Sequence, residues 1–198
     1  ILQPPGIKGL PEEDYIRFFG KVADAARVPV GVQNAPDYIG IGLSLAGIRA
    51  LAERHPNVAM IKAEGSALYA RQVVEATEGR VAVFNGRCGL ELTDNLRAGC
   101  SGMIPAVESA DVQAAVFDLM RRGDAEGERE AERLYASILP MTVFVIQSLD
   151  SFLCYGKRIA AARLGLGAVH DRQPALAPTE LGLAWASRFA AALPPLPA

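Results

Sequence analysis

Short apolar runs alternate, along the first 123 residues, with stretches in which apolar positions recur at helical spacing. The apolar runs predict four strands, at residues 28–34, 58–62, 81–85 and 101–106. The helical stretches predict helices over about 11–27, 45–54, 67–77, 90–98 and 111–122. Each predicted strand is apolar throughout, which is typical of strands covered on both faces. We therefore expect parallel strands joined by right-handed helical crossovers.

After residue 124 the pattern is helical only. It predicts helices at 124–139, 141–164 and 179–192. Four strand–helix units in order are typical of half of a (β/α)8 barrel or of a doubly wound sheet, and the pattern alone leaves both open.

Composition narrows the classes of function. The chain has 20 basic and 22 acidic residues with no basic stripe, so we expect no nucleic-acid partner. The chain has no apolar run of about 18 residues, so the sequence predicts no membrane span. The three cysteines do not have the spacing of metal-binding or redox motifs, which indicates reduced thiols and a cytoplasmic location. Only two histidines are present, so we do not expect a metal site built from histidines. The first residues lack the basic region of a signal peptide and read as the end of a strand.

Polar residues stand where three of the predicted strands end. In barrels and doubly wound sheets, the carboxyl ends of the strands line the active site. Lys62 ends the apolar run Val58 to Ile61, so its stem begins in a buried strand. Burial disfavours the charged form of an amine, and a neutral amine can attack a carbonyl to form a Schiff base. The spacing predicts a catalytic lysine; the other interpretation is a lysine that extends past the strand into solvent.

The neighbours of Lys62 each have two interpretations. Glu64, two residues on, lies on the same side of a continuing strand. It is either a proton shuttle or the ion-pair partner of Lys62 or Arg87. Gln33 and Asn34, at the end of the first predicted strand, either donate hydrogen bonds to a substrate hydroxyl or satisfy the loop backbone.

The turn Gly86 to Gly89 follows Asn85 at the end of the third predicted strand. It is too short for a P-loop and lacks the Lys and Ser/Thr of that motif. Cys88 within it is a buried or lining thiol in one interpretation and a nucleophile in the other, although no histidine neighbours it in sequence.

At these positions the chain resembles the dihydrodipicolinate synthase and N-acetylneuraminate lyase superfamily, from Pro4 to about Ala192. The resemblance rests on four segments in the family's order and spacing: Asn34-Ala35-Pro36, Asn57 to Lys62, Asn85 to Gly89, and Ala98 to Ile104. It implies a (β/α)8 TIM barrel, in which residues 1–123 are the C-terminal part, from the end of strand four to helix eight. Residues 124–198 would be a C-terminal helical extension. The first strands, with the family's carboxylate-binding loop, are then expected in a segment preceding this sequence.

The resemblance also implies the roles of the site residues. Lys62 is the Schiff-base lysine, and Glu64 and Gln33 are the other catalytic residues. Five residues are expected to bind the substrate: Asn34, Asn85, Gly86, Cys88 and Ile104. No metal and no cofactor are expected.

Two departures from the family pattern indicate the reaction. The tyrosine that precedes Asn-x-Pro in the family is Gln33 here, and the tyrosines after strand four are replaced by Pro4 to Lys8. A carboxylate, Glu64, stands near the imine instead. An amide cannot move a proton, so this pattern argues against carbon–carbon cleavage. It resembles the branch that dehydrates L-2-keto-3-deoxyarabonate to α-ketoglutarate semialdehyde in pentose breakdown.

Other functions remain open on the sequence. One is another keto-deoxy acid dehydratase or a pyruvate-releasing aldolase of the same superfamily. Another, of a different class, is a barrel that binds a keto acid without catalysis. For every one of them we expect a small-molecule 2-keto acid ligand and a homo-oligomer, built as a dimer of dimers.

Overall fold

The structure is a computed structural model that describes residues 1–194, so the last four residues of the predicted extension lie outside the described chain. The strands are β1 Val30–Asn34, β2 Val58–Ala63, β3 Ala82–Asn85 and β4 Gly102–Met103. The helices are α1 Glu12–Ala25, α2 Pro36–Ile39, α3 Leu45–Arg54, α4 Ala67–Thr77, α5 Leu92–Arg97, α6 Ala110–Arg121, α7 Ala125–Val145, α8 Leu149–Arg163 and α9 Glu180–Ala192. Two compact units result: residues 1–86 with 94–104, and residues 87–93 with 105 onward.

The first unit is a parallel sheet covered by helices. Its strands lie in the order β1-β2-β3-β4, and each pairs in parallel with its neighbour. Val32, Ile61 and Val83 point to one face and are 0–2% exposed beneath the helices. Burying each such aliphatic side chain contributes about 1.5–3 kcal/mol. The predicted parallel strands and crossover helices are confirmed in this unit.

Local capping sets where two of the covering helices begin. The Ser44 hydroxyl accepts a hydrogen bond from the Gly47 amide at 3.1 Å, and the Ser66 hydroxyl accepts one from the Tyr69 amide at 3.2 Å. Each bond satisfies a backbone donor that has no partner within the helix. Helices α3 and α4 accordingly have the predicted bounds.

The opposite face of the sheet is only partly covered. Gln33, Lys62 and Phe84 lie in register on it and are half-buried, as is Met60. Within the described residues, this face is therefore less covered than the face that carries the helices. A barrel of this type closes with eight strands. The described chain forms four strands and one bridge, so its sheet remains open and is not a closed barrel.

The first residues add to the edge of this sheet. The Leu2 amide donates to the Gly31 carbonyl at 2.7 Å, and the Gln33 amide donates to the Leu2 carbonyl at 2.8 Å. The start of the chain therefore pairs in parallel with β1, as its reading as a strand end predicted. This pairing brings Gln3 beside Gln33.

The second unit is helical, with α6 against α7 and α8 against α9. Two predicted boundaries in it are wrong. Pro140 does not end a helix: α7 continues to Val145, because Ile138, Met141 and Val145 lie on one buried face that spans the proline. The predicted helix 141–164 breaks instead at Ser148, whose hydroxyl caps α8 by accepting from the Ser151 amide.

Smaller differences concern short elements. The sequence pattern did not predict α2, and β1 and β4 are shorter than the apolar runs that predicted them. Among residues 1–194, no single helix is long and apolar enough to cross a membrane. Helices α7 and α8 meet those limits only when taken together, and they are bent by 112° to each other.

Candidate active site

Lys62 lies near the carboxyl end of β2, an inner strand with parallel neighbours on both sides. Its chain neighbours Ile61 and Ala63 are fully buried on the opposite face and hold the strand in place. The Lys62 side chain is 16% exposed, and its Nζ lies 3.0 Å from Glu64 Oε1. The amine is therefore directed at a carboxylate, not at bulk solvent.

Glu64 continues the face that carries Lys62. Its amide donates to the Asn34 carbonyl at 2.9 Å, which extends the β1–β2 pairing by one step. Because side chains two apart share a face, the Glu64 carboxylate returns to the Lys62 amine. Its second oxygen, Oε2, accepts a hydrogen bond from Gln33 Nε2. The carboxylate is thus held between an amine and an amide, and its side chain is 11% exposed.

Gln3 completes this chain of polar groups, and the sequence pattern did not single it out. Gln3 Nε2 donates to Gln33 Oε1 at 2.9 Å. Once that oxygen accepts from Gln3, the Gln33 amide nitrogen is the group that faces Glu64. The sequence offered one signal for Gln3, namely that the first residues have the pattern of a strand end. The sequence did not show that these residues pair with β1.

Gly86 makes room for the lysine and the carboxylate. A Cβ on this residue would lie 2.5 Å from Glu64 Oε1 and 2.9 Å from Lys62 Cε. Contacts this close do not occur between real side chains, so any larger residue would displace one of the two groups. The structure therefore brings together Lys62, Glu64, Gln33 and Gly86.

The Asn34 side chain forms hydrogen bonds with the loop that follows β1. It is 2% exposed, and its Nδ2 donates to the Leu43 carbonyl at 3.0 Å and to the Tyr69 hydroxyl at 2.7 Å. Its Oδ1 accepts from the Leu43 amide at 2.7 Å. Burial raises the pKa of the Tyr69 hydroxyl above its ordinary value, although the Asn34 hydrogen bond lowers it. These contacts hold the loop, and a substrate contact for Asn34 stays a prediction.

Asn85 links two loops at the carboxyl ends of the strands. It is fully buried, and its Nδ2 donates to the Gly65 carbonyl at 2.9 Å and to Asn95 Oδ1 at 2.8 Å. Its Oδ1 accepts from the Gly86 amide at 2.7 Å. The side chain thereby positions Gly86 beside the lysine, and direct substrate binding by Asn85 stays a prediction.

Backbone hydrogen bonds hold the remaining two predicted residues, Ile104 and Cys88, and substrate binding by either stays a prediction. Ile104 is half-buried, and its amide donates to the Asn85 carbonyl at 2.7 Å. Cys88 belongs to the second compact unit, where it is buried and its carbonyl accepts from Gln113 Nε2 at 3.0 Å. Within the described chain, no group of three or more His, Cys, Asp or Glu side chains could hold a metal ion.

A parallel α/β sheet with polar side chains at the carboxyl ends of its strands is the arrangement found in (β/α)8 barrels, whose sites lie at that edge. The chain belongs to the dihydrodipicolinate synthetase family, whose sequence profile matches residues 5–182.

Individual relatives agree with this membership. The chain is 28% identical, over 169 residues, to 4-hydroxy-tetrahydrodipicolinate synthase of Pelobacter propionicus; the match covers 84% of this chain and 56% of that protein. The chain thus spans little more than half of this relative's length.

Two solved structures share the fold. One is the 4-hydroxy-tetrahydrodipicolinate synthase of Methylacidiphilum fumariolicum SolV, with a TM-score of 0.84 and 21% identity, over 96% of this chain and 62% of that one. The other is YagE of Escherichia coli K12 in complex with pyruvate, with a TM-score of 0.81 and 24% identity, over 94% and 63%. Both have the DHDPS-like (β/α)8 barrel fold, of which the open sheet described here is a part.

Proposed function

We propose that this protein is a lyase that dehydrates a 2-keto-3-deoxy sugar acid through a Schiff base on Lys62. We further propose L-2-keto-3-deoxyarabonate as the substrate and α-ketoglutarate semialdehyde as the product. The observation that carries the proposal is the placement of the Glu64 carboxylate between the Lys62 amine and the Gln33 amide.

The first step is formation of the imine. A protonated lysine cannot attack a carbonyl, so the amine must first lose a proton. Glu64 Oε1, 3.0 Å from Nζ, is positioned to accept that proton. The amine then adds to the C2 carbonyl, and loss of one water leaves an iminium between Nζ and C2.

The second step is elimination of the C4 hydroxyl. The iminium makes a C3 proton acidic, because the electrons of the C3–H bond can move into an enamine. A carboxylate beside the iminium can take that proton and, once protonated, deliver one to the C4 hydroxyl as the C4–O bond breaks. Water leaves, one proton from C5 and the proton of the C5 hydroxyl move to C3 and C4, and C5 thereby becomes an aldehyde. Hydrolysis of the imine then frees Lys62. The net change is loss of one water.

The same geometry supports dehydration as the proposed reaction over cleavage. Retro-aldol cleavage requires a group that removes the proton of the C4 hydroxyl, and the Gln33 amide cannot do this. The Tyr69 hydroxyl accepts a hydrogen bond from Asn34 at 2.7 Å and burial raises its pKa, so we assign it no part in the proposed reaction. The likeness to YagE, solved with pyruvate, supports the second candidate, a pyruvate-releasing aldolase.

Product analysis tests the choice of reaction. We expect the protein to convert L-2-keto-3-deoxyarabonate mainly to α-ketoglutarate semialdehyde, measured by chromatography with mass detection. Faster release of pyruvate with glycolaldehyde would support the aldolase instead. If borohydride traps no adduct on the protein with any 2-keto-3-deoxy acid, the alternative is a barrel that binds a keto acid without catalysis.

Gly86→Ala is expected to lower kcat by about 10²-fold, the scale of loss when catalytic groups move by about 1 Å. The added methyl would occupy the space of Glu64 Oε1 and Lys62 Cε. Gly6→Ala is the matched control, since a Cβ at Gly6 meets nothing within 4 Å. Steady-state kinetics and a thermal melt of both variants provide the measurement. Equal kcat for Gly86→Ala and Gly6→Ala would show that the close packing around Gly86 does not serve the reaction.

We also propose the family's assembly for this protein, a homo-oligomer built as a dimer of dimers, and a cytoplasmic location. Both proposals rest on the resemblance and on the composition.

A further inference from the structure

A cleft of about 440 Å³ lies within the second compact unit, and all of its lining residues belong to that unit. Its walls are residues 107–108, helix α8 and the segment 164–170. Most of the lining is apolar, as in Phe152, Leu153, Ala160, Ala161, Leu164 and Val169. The volume is within the range of small-molecule sites in proteins.

Glu108 is the acidic group in this apolar lining. The residue is fully buried, and neither carboxylate oxygen has a hydrogen-bond partner. Oε2 lies 3.5 Å from the position that a Cβ on Gly156 would take, so the carboxyl group packs against the backbone of α8. Burial raises the pKa of this carboxyl above its ordinary value. A buried carboxyl without a partner destabilises a fold, and such groups are normally paired.

The nearby basic side chains are committed to other acids. Arg163 donates to the backbone carbonyl of Glu108 at 2.7 Å, but its guanidinium pairs with Asp111 at 2.7 and 2.8 Å. Lys157, which also lines the cleft, pairs with Asp171 at 2.8 Å and donates to the His170 carbonyl. Neither Arg163 nor Lys157 therefore pairs with the Glu108 carboxylate.

We propose that this cleft binds a small organic amine, whose apolar body fills the cleft and whose ammonium group bonds to the Glu108 carboxylate. An amine supplies the donors that both carboxylate oxygens lack, and a carbon skeleton matches the alanines and leucines around them. The Phe152 ring packs beside the carboxylate, since its Cδ2 and Cε2 lie 3.3 and 3.4 Å from the same Cβ position on Gly156. Because Glu108 is fully buried, the proposal includes a movement of this ring to admit the ammonium group.

This proposal is independent of the reaction assigned to Lys62. Cyclohexylamine is a suitable probe, and cyclohexanol is its uncharged counterpart of similar shape. We expect cyclohexylamine to raise the melting temperature of the whole protein saturably, because a ligand that binds only the folded state stabilises it. Calorimetric titration should give at least tenfold weaker binding for cyclohexanol with the wild type and for cyclohexylamine with Glu108→Gln. Asp118→Asn, an acid-to-amide change at an exposed position of α6, should bind like the wild type.

The melting temperature of a Glu108 variant tests whether this carboxyl serves a ligand or stabilises the fold. Glu108→Met removes the unpartnered acid and keeps the length of the side chain, so we expect its melting temperature to be at least that of the wild type. If Glu108→Gln does not fold, Glu108→Met replaces it in the titrations. The proposal is overturned if Glu108→Met melts lower than the wild type, or if amine and alcohol bind equally. Absence of saturable binding up to about 10 mM amine, where a site of millimolar affinity would be largely filled, also overturns it.

Discussion

Lys62→Ala is expected to lower turnover of 2-keto-3-deoxy acids by about 10⁴-fold or more, a loss typical of removing a catalytic nucleophile. Without the amine no imine forms, and the proposed route to an acidic C3 proton is lost. Borohydride trapping followed by mass spectrometry should find an adduct on residue 62 of the wild type and none on the variant. The fold should persist, because Lys62 lies on the partly open face of the sheet, away from the buried Val32–Ile61–Val83 face.

Lys21→Ala is the matched control for this experiment. Lys21 lies on α1 in the same compact unit, is exposed, and takes no part in the cluster around Glu64. Its removal should leave both turnover and trapping unchanged. Normal turnover in Lys62→Ala, or an adduct that forms on another lysine, would remove the basis of the proposed mechanism.

Glu64→Gln is expected to lower turnover by about 10² to 10⁴-fold, the range for loss of a general acid or base. The amide has nearly the same shape as the carboxylate, so it can stay between Lys62 and Gln33, but it cannot carry a proton between them and the substrate. Trapping at Lys62 should persist, because the lysine can still lose its proton to water. The measurements are single-turnover kinetics for dehydration and borohydride trapping for the imine.

Glu53→Gln, on the exposed side of α3, controls for the loss of one negative charge in the same unit. It should retain the wild-type rate. A Glu64→Gln variant as active as Glu53→Gln would mean that the carboxylate only forms an ion pair with Lys62. A variant that no longer traps would show that imine formation itself requires the Glu64 carboxylate.

The elements that sequence patterns predicted well are those controlled by neighbouring residues. Helices α3 and α4 begin after Ser44 and Ser66 because a serine caps the turn that follows it, which is a contact over three residues. Pro140 shows the opposite case. A proline within a helix normally ends or bends it, yet α7 passes through it because Ile138, Met141 and Val145 are buried on one face. Packing across the second unit outweighed the local preference.

By itself, the sequence predicted that Lys62 and Glu64 lie on the same side if the strand continues past Lys62, because side-chain direction in a strand repeats every two residues. It also determined the family, through segments whose order and spacing can be read directly. Only the tertiary structure decided which groups join that pair. Gln33 and Gly86 reach Glu64 across strand pairings, and Gln3 reaches Gln33 across another. Strand register is set by contacts between residues about 20 to 30 positions apart, and no local pattern specifies it. For the same reason, the tertiary structure decided that Asn34 and Asn85 hold loops and that Glu108 lies unpaired within an apolar cleft.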